Sequence, residues 1–271
     1  MIKMPPLFIP HGGGPCFFMD WDPPDMWDKM ADYLRGIPVD IKHAPRAIVV
    51  ISAHWEEEIV SIQKNPNPTL LYDYYGFPDS TYQIRYPASG SPGLSERISQ
   101  LLDDNQIEHA FDQNRGFDHG VFIPLKVAFP DASIPIVQIS LRTDLDPRFH
   151  LQLGKALRPL GDEGVLILGS GMSFHNLPRM MSYMRSNGVE IDPDSVAFDN
   201  WLTDTLTNGD AHNREQLLVD WAKAPGARNA HPREEHLIPL HVVVGAAGPE
   251  AGRRMLEDTV LGAAVSAFQF G

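Results

Sequence analysis

The sequence predicts an α/β layered domain built on a mostly parallel central sheet. Short runs of β-branched and leucine residues recur without polar alternation, as expected of strands buried on both faces. Segments with the spacing of amphipathic helices lie between them, and that alternation of element types places helices against a parallel sheet. A polar or glycine-rich turn follows each strand-like run, at the end of the sheet where ligands of open α/β folds collect.

Taken in order, Leu7-Phe8-Ile9 leads into Pro10-His11-Gly12-Gly13-Gly14-Pro15, and a helix is predicted from Asp25 to Arg35. Ala47 to Ile51 forms the second run and ends in Ser52-Ala53-His54-Trp55. The Pro- and Tyr-rich stretch from Asn65 to Pro87 reads as a long excursion that could cover a site. Helices are predicted from Pro92 to Asp103 and from Asp118-His119-Gly120 onward. Ile134 to Ile139 is the third strand, followed by a helix from Pro147 to Leu160. Val165 to Leu168 is the fourth and leads through Gly169-Ser170-Gly171 to His175. Two further helices are predicted, Asp194 to Thr207 and Arg233 to Val244, with Pro239 kinking the last or shifting its start. Prolines and glycines are spread evenly, with no linker, repeat or low-complexity tract, so one domain over residues 1–271 is expected.

Composition narrows the function. The 271 residues carry a formal net charge of −13, with 43% hydrophobic and 21% charged residues, enough to bury a large core. The acidic balance argues against non-specific nucleic-acid binding, which neutralises phosphates with Lys and Arg. The longest apolar stretches fall far short of the roughly 20 residues that span a bilayer, and the first residues lack the apolar run of a signal peptide. A soluble cytoplasmic protein is therefore expected. One cysteine excludes a disulfide framework and thiolate-rich zinc modules, whereas the histidines number eleven. A metal site in this chain would rest mainly on imidazole.

Three of those histidines, His11, His54 and His175, follow strand ends. A single histidine beside a glycine turn is usually just hydrogen-bonded to backbone. Three at equivalent positions of one sheet are a candidate site. Trp55 sets a large aromatic beside His54, suited either to a partly dry substrate pocket or to the core. Asp118 is read either as the orienting carboxylate of His119 or as a helix N-cap. His236 opens the last helix with its side chain toward the strand ends, next to Glu234 and Glu235, which suit a helix N-terminus. His231 stands at the edge of this group. His241 is expected in the core, and His43, His109, His150 and His212 on the surface. Cys16 lacks a specified base and is read as pocket lining. The glycines after His11 lack the spacing of a nucleotide loop, and no serine-hydrolase or zinc-protease motif occurs.

Five elements in one order carry a resemblance. They are His11-Gly12, Ser52-Ala53-His54-Trp55, Phe117-Asp118-His119-Gly120, Gly169-Ser170-Gly171 with His175-Asn176-Leu177, and Glu235-His236 before Leu237-Ile238-Pro239-Leu240. With Tyr86 to Pro92, they resemble the DOPA 4,5-dioxygenase branch of the class III extradiol ring-cleaving dioxygenases, the LigB-like superfamily. The resemblance spans nearly the whole chain. It implies a three-layer α/β/α fold and one non-haem divalent metal, Zn2+ or Fe2+. Its ligands would be His11, His54 and His236, with Glu235 a substitute and His175 a fourth ligand or the catalytic acid–base. His119 would bind the substrate or developing peroxide and assist catalysis, beside Trp55.

The implied reaction inserts O2 into a catechol-type, DOPA-like substrate and opens the ring beside its two hydroxyls. Two other readings stand next to it: a zinc-dependent hydrolase on the same scaffold, and a metal-stabilised binding protein without turnover. The expected partners are a small catechol and O2, with no nucleic acid and no membrane. A homo-oligomer is compatible with all of this.

Overall fold

A computed structural model describes residues 3–185 and 191–271, apart from the side chains of 184 and 185. Strand β1 (Leu7–Pro10) precedes helix α1 (Asp28–Asp40). Strands β2 (Ala47–Glu57) and β3 (Val60–Gln63) follow, then helix α2 (Pro92–Asp104) and strand β4 (His109–Asp112). Next come α3 (His119–Ala128), β5 (Ile136–Arg142), α4 (Pro147–Leu157), the short α5 (Pro159–Asp162) and β6 (Val165–Gly171). Helices α6 (Leu177–Arg185), α7 (Pro193–Thr207), α8 (Ala211–Val219), α9 (Ala227–Ala230) and α10 (Ile238–Ala247) lead to strands β7 (Gly252–Val260) and β8 (Ala263–Phe270).

The strands form one sheet in the order β4-β3-β5-β2-β6-β1-β8-β7. Its centre, β5-β2-β6-β1, is parallel throughout, as the uninterrupted apolar runs require. The β7–β8 hairpin closes one side antiparallel to β1, and β3 runs antiparallel to β5 on the other. Side-chain alternation along β2 separates the layers. Ala47, Val49 and Ile51 pack with Leu94 and Ile98 of α2, Leu153 of α4 and Val242 of α10. Ile48 and Val50 pack with Leu34 and Ile37 of α1 and Val121 and Leu125 of α3. The result is the three-layer α/β/α arrangement that the resemblance implied. Helices α4 and α10 touch through glycines: a Cβ on Gly154 would stand 2.0 Å from the Val242 oxygen, and one on Gly245 2.1 Å from that of Leu151.

Several boundaries differ from the sequence reading. Strand β2 continues through Glu57, so His54 lies within the strand and not after it. Helix α10 begins at Ile238, with Pro239 in its first turn. Proline has no N–H to donate and suits that position, so it shifts the start and leaves Glu235 and His236 in the preceding turn. The helix expected from Pro147 to Leu160 ends at Leu157, and Pro159 opens a separate turn. Strands β3, β4, β7 and β8 lie outside the four strand-like runs read from the sequence. No described helix is long and apolar enough to cross a membrane.

Candidate active site

The carboxyl ends of the adjacent strands β2, β6 and β1 set the floor of the site. His11 follows β1, and its N–H donates to the Gly171 oxygen at the end of β6 (3.1 Å). His54 shares the face of β2 that packs on α3, whose first residue is His119. His236 sits in the turn before α10, where its carbonyl accepts from Met172 N–H (3.0 Å). His175 lies in the loop after β6, its N–H bonded to the Ala230 oxygen (3.0 Å). Five imidazoles thus converge from five segments. Ring centroids of His11 lie 4.8 Å from His54, 5.4 Å from His119 and 5.2 Å from His236. His175 stacks on His236 at 3.4 Å with only 16° between the ring planes.

The tautomers follow from the hydrogen bonds. Ser170 Oγ gives its proton to the Gly120 oxygen, so it can only accept from His11 Nδ1, 3.1 Å away. Carboxylates are acceptors too: Glu235 Oε1 takes His236 Nδ1–H (2.9 Å), and Asp73 Oδ1 takes His119 Nδ1–H (2.8 Å). In all three rings the proton is on Nδ1 and Nε2 keeps its lone pair. His54 Nε2 stands 3.1 Å from His11 Nε2. Burial, reinforced by the neighbouring imidazoles, holds His11 and His236 well below the usual histidine range. Burial and then His119 pull His54 down to about 3, against the opposing pull of Asp73. Neutral imidazoles that converge in this way could hold a metal, and one ligand atom from each of His11, His54 and His236 lies within 4.8 Å of the others. The donor chemistry fits a divalent transition metal.

A second layer of polar groups surrounds His54. Burial and Asp73 push the Asp118 carboxyl above its ordinary range, although Ser52 Oγ donates to it at 2.7 Å. Asp118 also accepts from Gln138 and from Arg115 Nη2 (3.1 Å), and the same Arg115 nitrogen donates to the His54 oxygen (3.0 Å). Gly120 permits the close approach of α3: a Cβ there would stand 2.5 Å from Ser52 Oγ and 3.0 Å from His54 Cδ2.

Several expectations are corrected here. Asp118 neither orients His119 nor caps α3 with its side chain; Asp73, from the long excursion, holds His119 instead. Trp55 is buried on the opposite side of β2 from His54, its indole N–H on Glu57 (2.8 Å) and Arg115 over its ring, so the core reading describes it. Cys16 is buried in the core rather than lining a pocket, and burial raises its thiol well above the usual range. His150 is fully buried, not on the surface, because its ring satisfies the backbone at both nitrogens. His109 is half-buried and bonded to Ser99 and the Ile107 oxygen. His231 is buried with Nε2 on the Ser173 oxygen (2.9 Å), away from the ligand set. Glu235 bonds two imidazoles, with His175 Nδ1 at 3.3 Å as well as His236. Sequence reasoning passed over Asp73, whose one signal was an acid amid aromatic residues, Tyr72-Asp73-Tyr74-Tyr75.

Residues 6–269 match the family described as the catalytic LigB subunit of aromatic ring-opening dioxygenase. The chain belongs to this family. It is 43% identical over 216 residues to the Beta vulgaris protein named 4,5-DOPA dioxygenase extradiol, covering 79% of this chain and 78% of that one. It is 38% identical over 279 residues to Dioxygenase tasH of Hapsidospora irregularis, covering 98% and 85%. The crystal structure of an uncharacterized Escherichia coli K12 protein superposes with a TM-score of 0.80 at 29% identity, over 99% of this chain and 100% of the other. The chain is thus an aromatic ring-opening dioxygenase of the LigB-like extradiol group, acting on a small molecule and O2.

Proposed function

We propose that this dioxygenase is metal-dependent and cleaves a catechol-type, DOPA-like substrate, with residues 1–271 acting as one catalytic domain. The observation that carries the reading is the convergence of neutral imidazoles whose outward nitrogens are already committed as donors. His11, His54 and His236 hold the metal, and Ser170 and Glu235 orient two of them. Relatives named 4,5-DOPA dioxygenase extradiol support the substrate class.

An all-imidazole set suits Zn2+ as well as Fe2+, but Zn2+ has no redox chemistry, so turnover is assigned to Fe2+. When bound, the iron supplies a Lewis acid and an electron relay that hold catechol and O2 together. His175 takes a proton from a catechol hydroxyl and later returns one, its Nδ1 facing Glu235. His119 offers Nε2 to the substrate from the other side, backed by Tyr74 with its ring 5.8 Å away. Both oxygen atoms enter the product, one carbon–carbon bond beside the diol breaks, and a yellow muconic semialdehyde results.

The test is O2 consumption by protein reconstituted anaerobically with Fe(II), over a catechol panel that includes L-DOPA. Uptake with a yellow product is expected for Fe(II), and none for Zn(II). No uptake across the panel overturns the proposal.

A further inference from the structure

The mechanism leaves one part-buried contact unused. Asp73 belongs to the excursion between β3 and α2, and that excursion is pinned to the residues leading into α3. Phe117 N–H donates to the Thr69 oxygen (2.8 Å), and Leu71 N–H donates to the Phe117 oxygen (2.8 Å). This pairing brings Asp73 over the start of α3. One oxygen, Oδ1, then accepts two hydrogen bonds from the same residue: His119 N–H at 2.9 Å and His119 Nδ1–H at 2.8 Å. The other oxygen, Oδ2, faces His54 Nδ1 at 3.8 Å, beyond hydrogen-bond range. A ring held at its own backbone N–H and at Nδ1 by a single atom can neither rotate nor exchange tautomers without breaking a bond.

We infer that Asp73 is a positioning residue that fixes neutral His119 as the Nδ1–H tautomer, so that His119 meets the substrate as a hydrogen-bond acceptor through Nε2. Carboxylates paired with imidazoles act in this way in other active sites, where the wrong tautomer costs orders of magnitude in turnover. The consequence divides the work of the two flanking histidines. His119 accepts from one catechol hydroxyl through Nε2. His175 is held differently: its backbone N–H goes to the Ala230 oxygen, and its Nδ1 faces a carboxylate oxygen, Glu235 Oε1 at 3.3 Å, that is shared with His236. This rests on the reading of His119 as a substrate-facing group.

The experiment reads the tautomer directly. In full-length, zinc-loaded protein labelled with 15N-histidine, long-range proton–nitrogen spectra distinguish protonated Nδ1 from protonated Nε2, and His119→Gln identifies the signal. Wild type is expected to show His119 protonated at Nδ1. Asp73→Ala should move it toward the Nε2–H form and, in the Fe(II) enzyme, lower kcat about 10²-fold with metal content unchanged and KM within about threefold. Asp73→Asn keeps an oxygen where Oδ1 accepts both bonds, so it should restore the tautomer and most of the turnover. His119 protonated at Nε2 in wild type overturns the inference, as does an unchanged tautomer in Asp73→Ala or a kcat that falls only in step with metal loss. If Asp73→Ala fails to fold, the wild-type spectrum still decides. If wild type cleaves no catechol, the proposed substrate class fails while the spectrum judges Asp73 separately.

Discussion

Two groups of buried histidines share this molecule, and burial treats them alike while hydrogen bonding does not. His150, at the start of α4, donates Nδ1–H to the Asp146 oxygen (2.8 Å) and accepts Arg142 N–H at Nε2 (3.1 Å). His241, inside α10, places Nε2 3.0 Å from the Leu218 oxygen. The His150 ring completes backbone hydrogen bonding at both nitrogens, and both His241 nitrogens face backbone oxygens. In the site, by contrast, the outward nitrogens of His11, His119 and His236 are satisfied and the inward ones converge on each other. Burial disfavours the charged form of His11 and His236 in the site and of His241 and His150 outside it, with His150 pulled down to about 4, mainly by desolvation. A lowered pKa therefore does not mark function in this protein. The convergence of ring nitrogens from separate segments does.

The largest effect that tests this contrast is removal of a ligand. His11→Ala should abolish metal retention and reduce turnover to background, measured by elemental analysis and O2 uptake. Retained metal would place the ligand set elsewhere. Removing an acceptor behind a ligand should cost less: Ser170→Ala is expected to weaken metal affinity about 10- to 100-fold, read by competition with a chelator.

A histidine of the other group should behave in the opposite sense. His150→Phe strands Arg142 N–H, so unfolding free energy should fall by about 1–3 kcal/mol while turnover per folded molecule is kept. The same residue carries a pH signature. Its folded pKa lies below the unfolded value near 6.5, so its neutral form contributes stability above that pH, and the contribution fades as pH falls toward about 4. The full effect is on the order of 3 kcal/mol, and His150→Phe should flatten the stability curve across that window. The smallest change is expected at exposed His43 and His212, where alanine should shift stability by less than about 0.5 kcal/mol and leave metal content untouched.

The same contrast explains what was legible in the sequence. The buried parallel strands announced themselves because Ile48 to Ile51 and Val165 to Leu168 have no polar face to hide. His11, His54, His119, His175 and His236 could be collected because the turns and strand ends that bear them share one edge of the sheet. The second layer could not. Asp73 reaches His119 across 46 residues, and Ser170 reaches His11 across 159, contacts that no local pattern encodes. His150 looked exposed because Arg148 and Gln152 stand close to it in sequence, whereas its partners are backbone groups supplied by the fold. Asp118 looked like the partner of His119 because it is adjacent in sequence, but the chain turns its carboxylate toward Ser52, Gln138 and Arg115.

The position of β1 has a consequence for synthesis. This strand lies inside the sheet, with Phe8 opposite Gly169 on β6 and Phe268 on β8. While β1 is being synthesised it has neither neighbour, and the second arrives only when the β8 segment has emerged. Closing the sheet around β1 therefore waits on a strand some 260 residues downstream of Phe8, a long-range pairing of the kind that slows folding.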